Sequence, residues 1–103
     1  MITLRIGQIV MSHATYAHGG WVHGLTSGRM ANAYRATFYT DRNQRAALRA
    51  LRGQKIEVAW RQDLGPVMRI IDAEVTKVLP AANRHRLRVC VRGQLIVPQG
   101  GWR

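Results

Sequence analysis

One short segment, residues 40–53, constrains the fold most, because it has the marks of a helix with a defined start, a stop and two faces. Thr40 or Asp41 can accept hydrogen bonds from the first unpaired amides, and Gly53 can adopt the left-handed conformation that ends a helix. At about 100° per residue, one side carries arginines and the other carries leucines and alanines. The arginine stripe consists of Arg42, Arg45, Arg49 and Arg52. The apolar stripe consists of Ala47, Leu48, Ala50 and Leu51. The pattern predicts one α-helix over about 41–52, with one face buried and the other directed at anions.

Much of the remaining chain shows the alternation of apolar and polar residues that is typical of half-buried strands. The stretches with strand signals are 2–6, 33–39, 55–61, 67–79 and 86–97. The residues predicted to point inward in them include Ile2, Leu4, Ile6, Tyr34, Ala36, Phe38, Ile56, Val58, Trp60, Leu87, Val89 and Val91. The phase is broken where Ile70 and Ile71 are adjacent, which predicts a β-bulge near Ile70. Turns are expected at 63–66 and 80–83, where residues that favour tight reversals cluster.

Residues 11–32 are rich in glycine and histidine and have no clear period. We therefore expect a long loop or arm over about 11–32, since such segments in compact domains usually serve a function or a partner. At 103 residues the chain is long enough for one hydrophobic core, which predicts a single β-rich domain over 1–103. The order of elements predicts an α+β fold, namely a small antiparallel β-sheet or split barrel with one packed α-helix.

The charge is strongly positive, with 16 Lys+Arg against 5 Asp+Glu and a formal net charge of +11. Such a charge destabilises a compact monomer by self-repulsion and attracts polyanions or acidic protein surfaces, so we expect a partner. The hydrophobic fraction of 47% excludes a disordered basic tail. The chain has no continuous apolar run near the roughly 20 residues that a membrane helix needs, which predicts a soluble protein without a membrane contact. A single cysteine, Cys90, cannot form an internal disulfide, which fits a reducing compartment.

A second row of arginines lies on the strand predicted near the C-terminus. Its members are Arg84, Arg86, Arg88 and Arg92. Side chains on one face of a strand are about 7 Å apart, so this row and the helix row are predicted to bind a protein partner or a nucleic-acid backbone. The aromatic residues outside the predicted core are interface candidates. They are Tyr16, Trp21, Tyr39 and Trp102.

Residue types that carry chemistry do not form a catalytic or metal-binding pattern. His13, His18 and His23 recur every five residues with no cysteine or acid nearby, which matches no standard zinc pattern and predicts no metal. Cys90 and His85 lack a third member of a catalytic set, and the few acids are accounted for by a cap, a turn and strand ion pairs. We expect no enzyme activity, no cofactor and no small-molecule substrate.

The run from Tyr34 through Phe38 into Leu48, Leu51 and Gly53 resembles small tail-tip and distal tail proteins of long-tailed bacteriophages. In that family, a strand of the form aromatic-x-small-x-aromatic leads into a helix that ends Leu-x-x-Leu-(Arg)-Gly, and further strands follow. The resemblance covers about 28 residues. It implies a β-rich building block that forms rings around the tail axis and has no catalytic residues, and it transfers no site residues.

These features together predict a structural or assembly protein of a virus particle, in a bacteriophage tail or neck. A head–tail connector or a minor capsid component fits the same pattern. We expect copies of the chain or neighbouring virion proteins as partners, with the protein in the virion and, during assembly, in the host cytoplasm. The alternative is a small nucleic-acid-binding protein that tolerates many sequences, in which the arginine rows contact phosphates. An enzyme and a host-directed inhibitor are the remaining possibilities.

Overall fold

The computed structural model describes residues 2–26, 29–62, 64–83 and 85–96, and of residues 23–26 and 29–32 it describes the backbone. The strands are β1 Ile2–Ile6, β2 Ile9–Thr26, β3 Arg29–Asp41, β4 Ile56–Arg61, β5 Val67–Pro80 and β6 Arg86–Ile96. A 3₁₀ turn, Arg42–Gln44, leads into the helix α1, Arg45–Ala50. All neighbouring strands pair antiparallel, and they close into a barrel in the order β1-β2-β3-β6-β5-β4. The expected sheet with one helix is therefore present, mostly as sheet and closed on itself.

The barrel interior is filled by the inward-facing residues that the alternation predicts. The largest fully buried side chains are Phe38, Leu4, Ile6, Leu48, Ile70, Leu87, Val58, Val89, Val91 and Thr40. Most of them alternate with exposed or half-buried neighbours along their strands, as in β1, where Ile2, Leu4 and Ile6 are buried. A two-residue turn with Gly7 at a φ of 61° joins β1 to β2, so the backbone there favours glycine. The predicted inward phase is confirmed for β1, β4 and β6.

Strand β5 contains the irregularity that the adjacent isoleucines predict. Its pairing with β6 shifts between Ile71 and Glu74 and again between Val75 and Lys77, and Asp72 has a φ of 49°. Because each bulge inserts an extra residue, the buried positions do not keep a period of two. They are Ile70, Ala73, Val75 and Val78. The bulge expected near Ile70 is thus confirmed and centres on Asp72.

The expectation of a long loop over 11–32 is wrong, because most of this segment belongs to a β-hairpin made by β2 and β3. The register runs from Thr15 opposite Tyr39 to Thr26 opposite Arg29. Two bulges interrupt the alternation in β2, one between its pairs with β1 and one between its pairs with β3. Because each bulge shifts the strand's phase, the period of two by which strands are recognised is missing here.

The helix is shorter than expected and begins without a side-chain cap. Neither the 3₁₀ turn nor α1 has a side-chain cap hydrogen bond, and the Arg42 amide instead donates to the carbonyl of His85 at 3.3 Å. The backbone of the β5–β6 connection therefore takes the place that Thr40 or Asp41 was expected to fill. Gly53 has the predicted left-handed backbone, with a φ of 86°.

The apolar face of the helix is narrower than its sequence predicts. Leu48 is fully buried and Leu51 half-buried, whereas Ala47 and Ala50 are exposed. Since the segment is one short helix against the end of a barrel, two leucines are enough to cover that contact. Within the described residues, no helix is long and apolar enough to cross a lipid bilayer.

Candidate partner-docking surface

The arginine row on the helix is exposed except at one position. Arg42, Arg49 and Arg52 are exposed, whereas Arg45 is half-buried. Arg42 and Arg45 line a cavity at the start of β6, together with Arg86. The helix row therefore divides into two pairs. Arg42 and Arg45 face the cavity at the start of β6, whereas Arg49 and Arg52 lie farther along the chain, at the end of the helix.

The arginine row on β6 does not act as one uniform surface. Arg86 donates to the carbonyl of His13 at 2.9 Å, to Thr15 Oγ1 at 3.0 Å and to the carbonyl of Tyr39 at 3.1 Å. It also lies 3.5 Å from the Asp41 carboxylate. Since its guanidinium links β6 to β2 and β3, Arg86 has a structural role in the barrel, and its predicted contact with a partner stays a prediction.

The rest of the β6 row comprises Arg88 and Arg92, which are exposed, and Arg84, which lies outside the described residues. Arg92 is directly opposite Arg35 of β3, and Arg88 is directly opposite Tyr39. On the other side of β6, Lys77 of β5 is opposite Cys90. The basic sheet face thus consists of Arg35, Lys77, Arg88 and Arg92.

Sequence reasoning missed Arg35 and Lys77. The alternation in 33–39 placed Arg35 on the polar side, but only the pairing of β3 with β6 brings it beside Arg92. Lys77 is displaced by the second bulge of β5, so its neighbour could not be read from strand parity. Tyr39, predicted at an interface, is half-buried at a register position beside Arg88.

Small, uncharged side chains lie between the cations of the basic sheet face. Thr37 Oγ1 is 3.6 Å from Cys90 Sγ, and Thr76 Oγ1 donates to the Cys90 carbonyl at 3.1 Å. Cys90 is only 8% exposed. A cavity of about 240 Å³ opens here between strands β3, β6 and β5. The thiol therefore packs against a cross-strand threonine below the surrounding cations.

Two strand carboxylates form ion pairs, one on β4 and one on β5. Glu57 of β4 accepts hydrogen bonds from Arg69 at 2.9 Å and from Arg5 at 2.7 Å. These bonds, that from Arg69 foremost, hold the pKa of the Glu57 carboxyl below its usual value. Glu74 pairs with Lys55 at 2.5 Å, which lowers the pKa of its carboxyl in the same way. The expectation that strand acids pair with arginines is confirmed for Glu57, whereas the ion-pair partner of Glu74 is Lys55, which precedes β4.

The basic sheet face has one carboxylate beside it, since Glu74 of β5 is directly opposite Arg92, and the charge of Arg92 adds to the lowering of the Glu74 carboxyl pKa. Within the residues that the structure describes, no carboxylate forms an ion pair with Arg35, Lys77, Arg88 or Arg92. Like charges placed directly opposite on neighbouring strands repel, as Arg35 and Arg92 do here. The face thus keeps a like-charge contact between β3 and β6.

The aromatic residues form a chain from the barrel interior to the hairpin. Tyr16 stacks on Trp60 with ring centroids 5.5 Å apart, and its hydroxyl is 2.9 Å from the Tyr34 hydroxyl. Burial, together with this hydrogen bond, raises the pKa of the Tyr16 phenol above its usual value. Trp21 packs edge-on against Tyr34 and remains 52% exposed. Tyr16 is therefore half-buried against the core, whereas Trp21 is exposed at the surface; Trp102 lies outside the described residues.

The histidines are not brought together into a ligand set. His13 and His18 are exposed on β2, and the side chain of His23 is outside the described part. Among the side chains that the structure describes, no three of the types His, Cys, Asp and Glu converge as metal ligands would. The chemistry that this arrangement offers is therefore recognition of anions by guanidinium groups on a rigid sheet.

Comparisons of the chain with protein families, with curated proteins and with solved structures find no match.

Proposed function

We propose that the protein is a structural subunit of a virus particle, in a bacteriophage tail or neck, that assembles with copies of itself or with neighbouring virion proteins. The observation that carries this proposal is the hairpin arm, residues 22–26 and 29–33. Here Val22 pairs with Ala33 and Thr26 with Arg29, beyond the last pairs that β2 makes with β1 and β3 makes with β6.

The hairpin arm is poorly suited to a protein that acts alone. At about 3.3 Å per residue, its five paired positions extend roughly 16 Å past the barrel as a two-stranded ribbon. Such a ribbon is marginally stable in water, and its outer edges carry main-chain groups that can pair with another strand. A neighbouring subunit that receives the arm supplies both the missing strand and the missing core.

The basic sheet face supports the same function, because assembly would place an acidic surface against it. In a closed ring, each interface is repeated by symmetry, so one pair of complementary surfaces neutralises every subunit. The role proposed is non-enzymatic. It is consistent with carboxylates held in ion pairs at Asp41, Glu57 and Glu74, and with a Cys90 thiol packed under cations.

The test is whether the protein is a component of particles. Mass spectrometry of particles from the source cells should detect the chain, and light scattering of the purified protein should show an oligomer that grows with concentration. The double variant Arg35→Glu/Arg92→Glu should weaken assembly, whereas the control Arg49→Glu/Arg52→Glu changes the same charge on the helix and should not. A protein that stays monomeric and is missing from particles would contradict the proposal.

A second candidate is binding of nucleic acid without sequence preference. The observation that favours it is the position of Arg88 beside Tyr39, since a cation next to an aromatic ring suits a backbone phosphate and a base. Each phosphate contact would contribute about −0.9 to the slope of log affinity against log salt for duplex DNA. Titration of labelled DNA and RNA at several salt concentrations measures this slope, and the lack of any binding at low salt removes this candidate.

A further inference from the structure

A cavity of about 300 Å³ lies between the 3₁₀ turn and the beginning of β6. Its lining residues are Arg42, Arg45, Pro80, Ala81, Arg86 and Leu87. Three of these residues are arginines, and the other three form an apolar wall. A concave site with a small number of cationic groups and an apolar wall has the composition of a binding site for an organic anion.

The three arginines differ in what they can offer a ligand. Arg86 is fixed by its hydrogen bonds to strands β2 and β3, so it adds charge to the wall while both of its Nη atoms already donate within the fold. Arg42 is exposed at the rim, and the described residues offer its side chain no hydrogen-bond partner within range. Arg45 lies between them and is half-buried.

Arg45 is the residue that points to a ligand. Its Nε atom is out of contact with water and has no hydrogen-bond partner within the described part of the chain. A buried donor without an acceptor is costly, and natural proteins rarely keep one. A small rotation of the guanidinium would turn the Nε–H and one Nη–H toward the cavity, where a single carboxylate can accept both.

We propose that this cavity is an anion site that binds the carboxylate of an acidic side chain from a neighbouring protein subunit. The carboxylate accepts two hydrogen bonds from Arg45, and Arg42 closes over it from the rim. Pro80, Ala81 and Leu87 contact the methylene groups that carry the carboxylate. The planar fork of arginine matches a carboxylate as well as a phosphate, and the apolar wall favours a carboxylate that is carried on methylene groups.

The identity of the partner rests on the proposed function, but the chemistry of the site does not. The site can therefore be tested on the isolated protein with a small probe. N-acetyl-glutamate-α-amide carries the side chain of an acidic residue and no other charge, and N-acetyl-glutamine-α-amide is its neutral match. Inorganic phosphate, at the same ionic strength, tests the other source of an oxyanion.

The measurement is the ¹⁵N NMR signal of the arginine Nε–H groups during titration. We expect the Arg45 signal to shift and saturate with the glutamate probe, and to stay unchanged with the glutamine probe. Arg45→Lys keeps the charge but loses the fork, and we expect at least a tenfold loss of affinity, read from the Arg42 signal. Arg49→Lys makes the same change outside the cavity and should leave the affinity unchanged.

Three results would overturn the proposal. One is an Arg45 signal that does not saturate, and another is an equal shift of all arginine signals, which indicates general screening. The third is tighter binding of phosphate than of the glutamate probe, which assigns the site to another class of ligand. Thermal unfolding of Arg45→Lys and of a second variant, Arg45→Gln, shows whether the fold survives. If the glutamate probe does not bind at Arg45, the proposal that the protein is a component of particles still stands. If the protein is absent from particles, a saturable site at Arg45 still stands. The failure of one proposal can therefore be told from the failure of the other.

Discussion

Gly93 shows how closely the backbone of β6 approaches the bulged part of β5. A Cβ atom at Gly93 would lie 2.7 Å from Ile70 Cγ2, 2.7 Å from the Ile71 carbonyl oxygen and 2.8 Å from Ala73 Cα. Two of these neighbours are backbone atoms, so they cannot move aside as a flexible side chain would. The bulges of β5 and the missing side chain of Gly93 therefore depend on each other.

We expect Gly93→Ala to destabilise the protein by about 2 kcal/mol, since overpacking a well-filled core costs roughly 1–3 kcal/mol. Gly20→Ala is the matched control, because a Cβ at Gly20 would meet no atom within 4 Å. Urea unfolding of both variants gives the two free energies of unfolding. Equal values for the two variants would contradict the close approach of β6 and β5.

Tyr16 links the barrel interior to alkaline stability. The pKa of its phenol is raised in the folded protein, so the folded state keeps this proton at a pH where the unfolded chain has lost it. This contribution is fully present below the ordinary tyrosine pKa, about 10, and is lost as the pH rises toward the folded-state value. Wild-type stability should therefore fall as the pH rises above the ordinary tyrosine value of about 10.

We expect Tyr16→Phe to keep the ring stacked on Trp60 while it removes one titrating group. The slope of unfolding free energy against pH above about 10 should then be shallower than in the wild type. Urea unfolding across this pH range measures it. Parallel slopes for the two proteins would show that Tyr16 ionises as freely in the folded state as in the unfolded chain.

At the scale of elements, the sequence pattern predicted the strands that bury one face in the core, and it missed the hairpin arm that extends beyond them. Strands β1, β4 and β6 were recognised because burial of one face enforces alternation. In the β2–β3 hairpin, residues 33–39 of β3 were recognised as a strand by their alternation, whereas residues 11–32 were expected to be a loop or arm because bulges in β2 break the pattern. The two rows of arginine could be recognised in the sequence. Whether one of these side chains is held by hydrogen bonds within the fold, as Arg86 is, depends on the strand register, which the sequence does not specify. The cavity at Arg45 likewise needs the long-range contact of the helix start with His85.

The hairpin arm should be the part of the described sheet that opens most readily. Among the described residues, the backbone of 22–26 pairs with β3 alone, so we expect its amides to exchange with solvent at least ten times faster than amides in β6. Hydrogen exchange followed by NMR measures this on the monomer. In the assembled protein the same amides should become protected, and equal rates in both states would argue against the arm as a contact.

At the scale of the whole molecule, charge is distributed unevenly over the barrel. The Glu57 network neutralises part of β1, β4 and β5, while Arg35 and Arg92 face each other across β3 and β6. The isolated protein therefore retains a repulsion that a partner would remove. A surface of this kind serves binding at the expense of monomer stability.

We expect Arg35→Glu to stabilise the isolated protein at low salt, because it converts a like-charge pair into an opposite pair worth roughly 0.2–1 kcal/mol. The same change should weaken assembly. Arg49→Glu alters the net charge equally but lies on the helix, away from this pair, so its effect on stability should be smaller. Thermal unfolding at low and high salt compares the variants, and an equal gain from both would assign the effect to net charge alone.

The closed barrel also separates two properties that are coupled in an open sheet. Because the barrel strands already satisfy one another, the hairpin arm can lengthen or shorten by paired insertions, one residue on each strand, without disturbing the register of β1, β4, β5 or β6. The length of the hairpin arm and the packing of the core can then change independently during evolution. Homologues with arms of different length on an unchanged barrel are the form in which that independence would be seen.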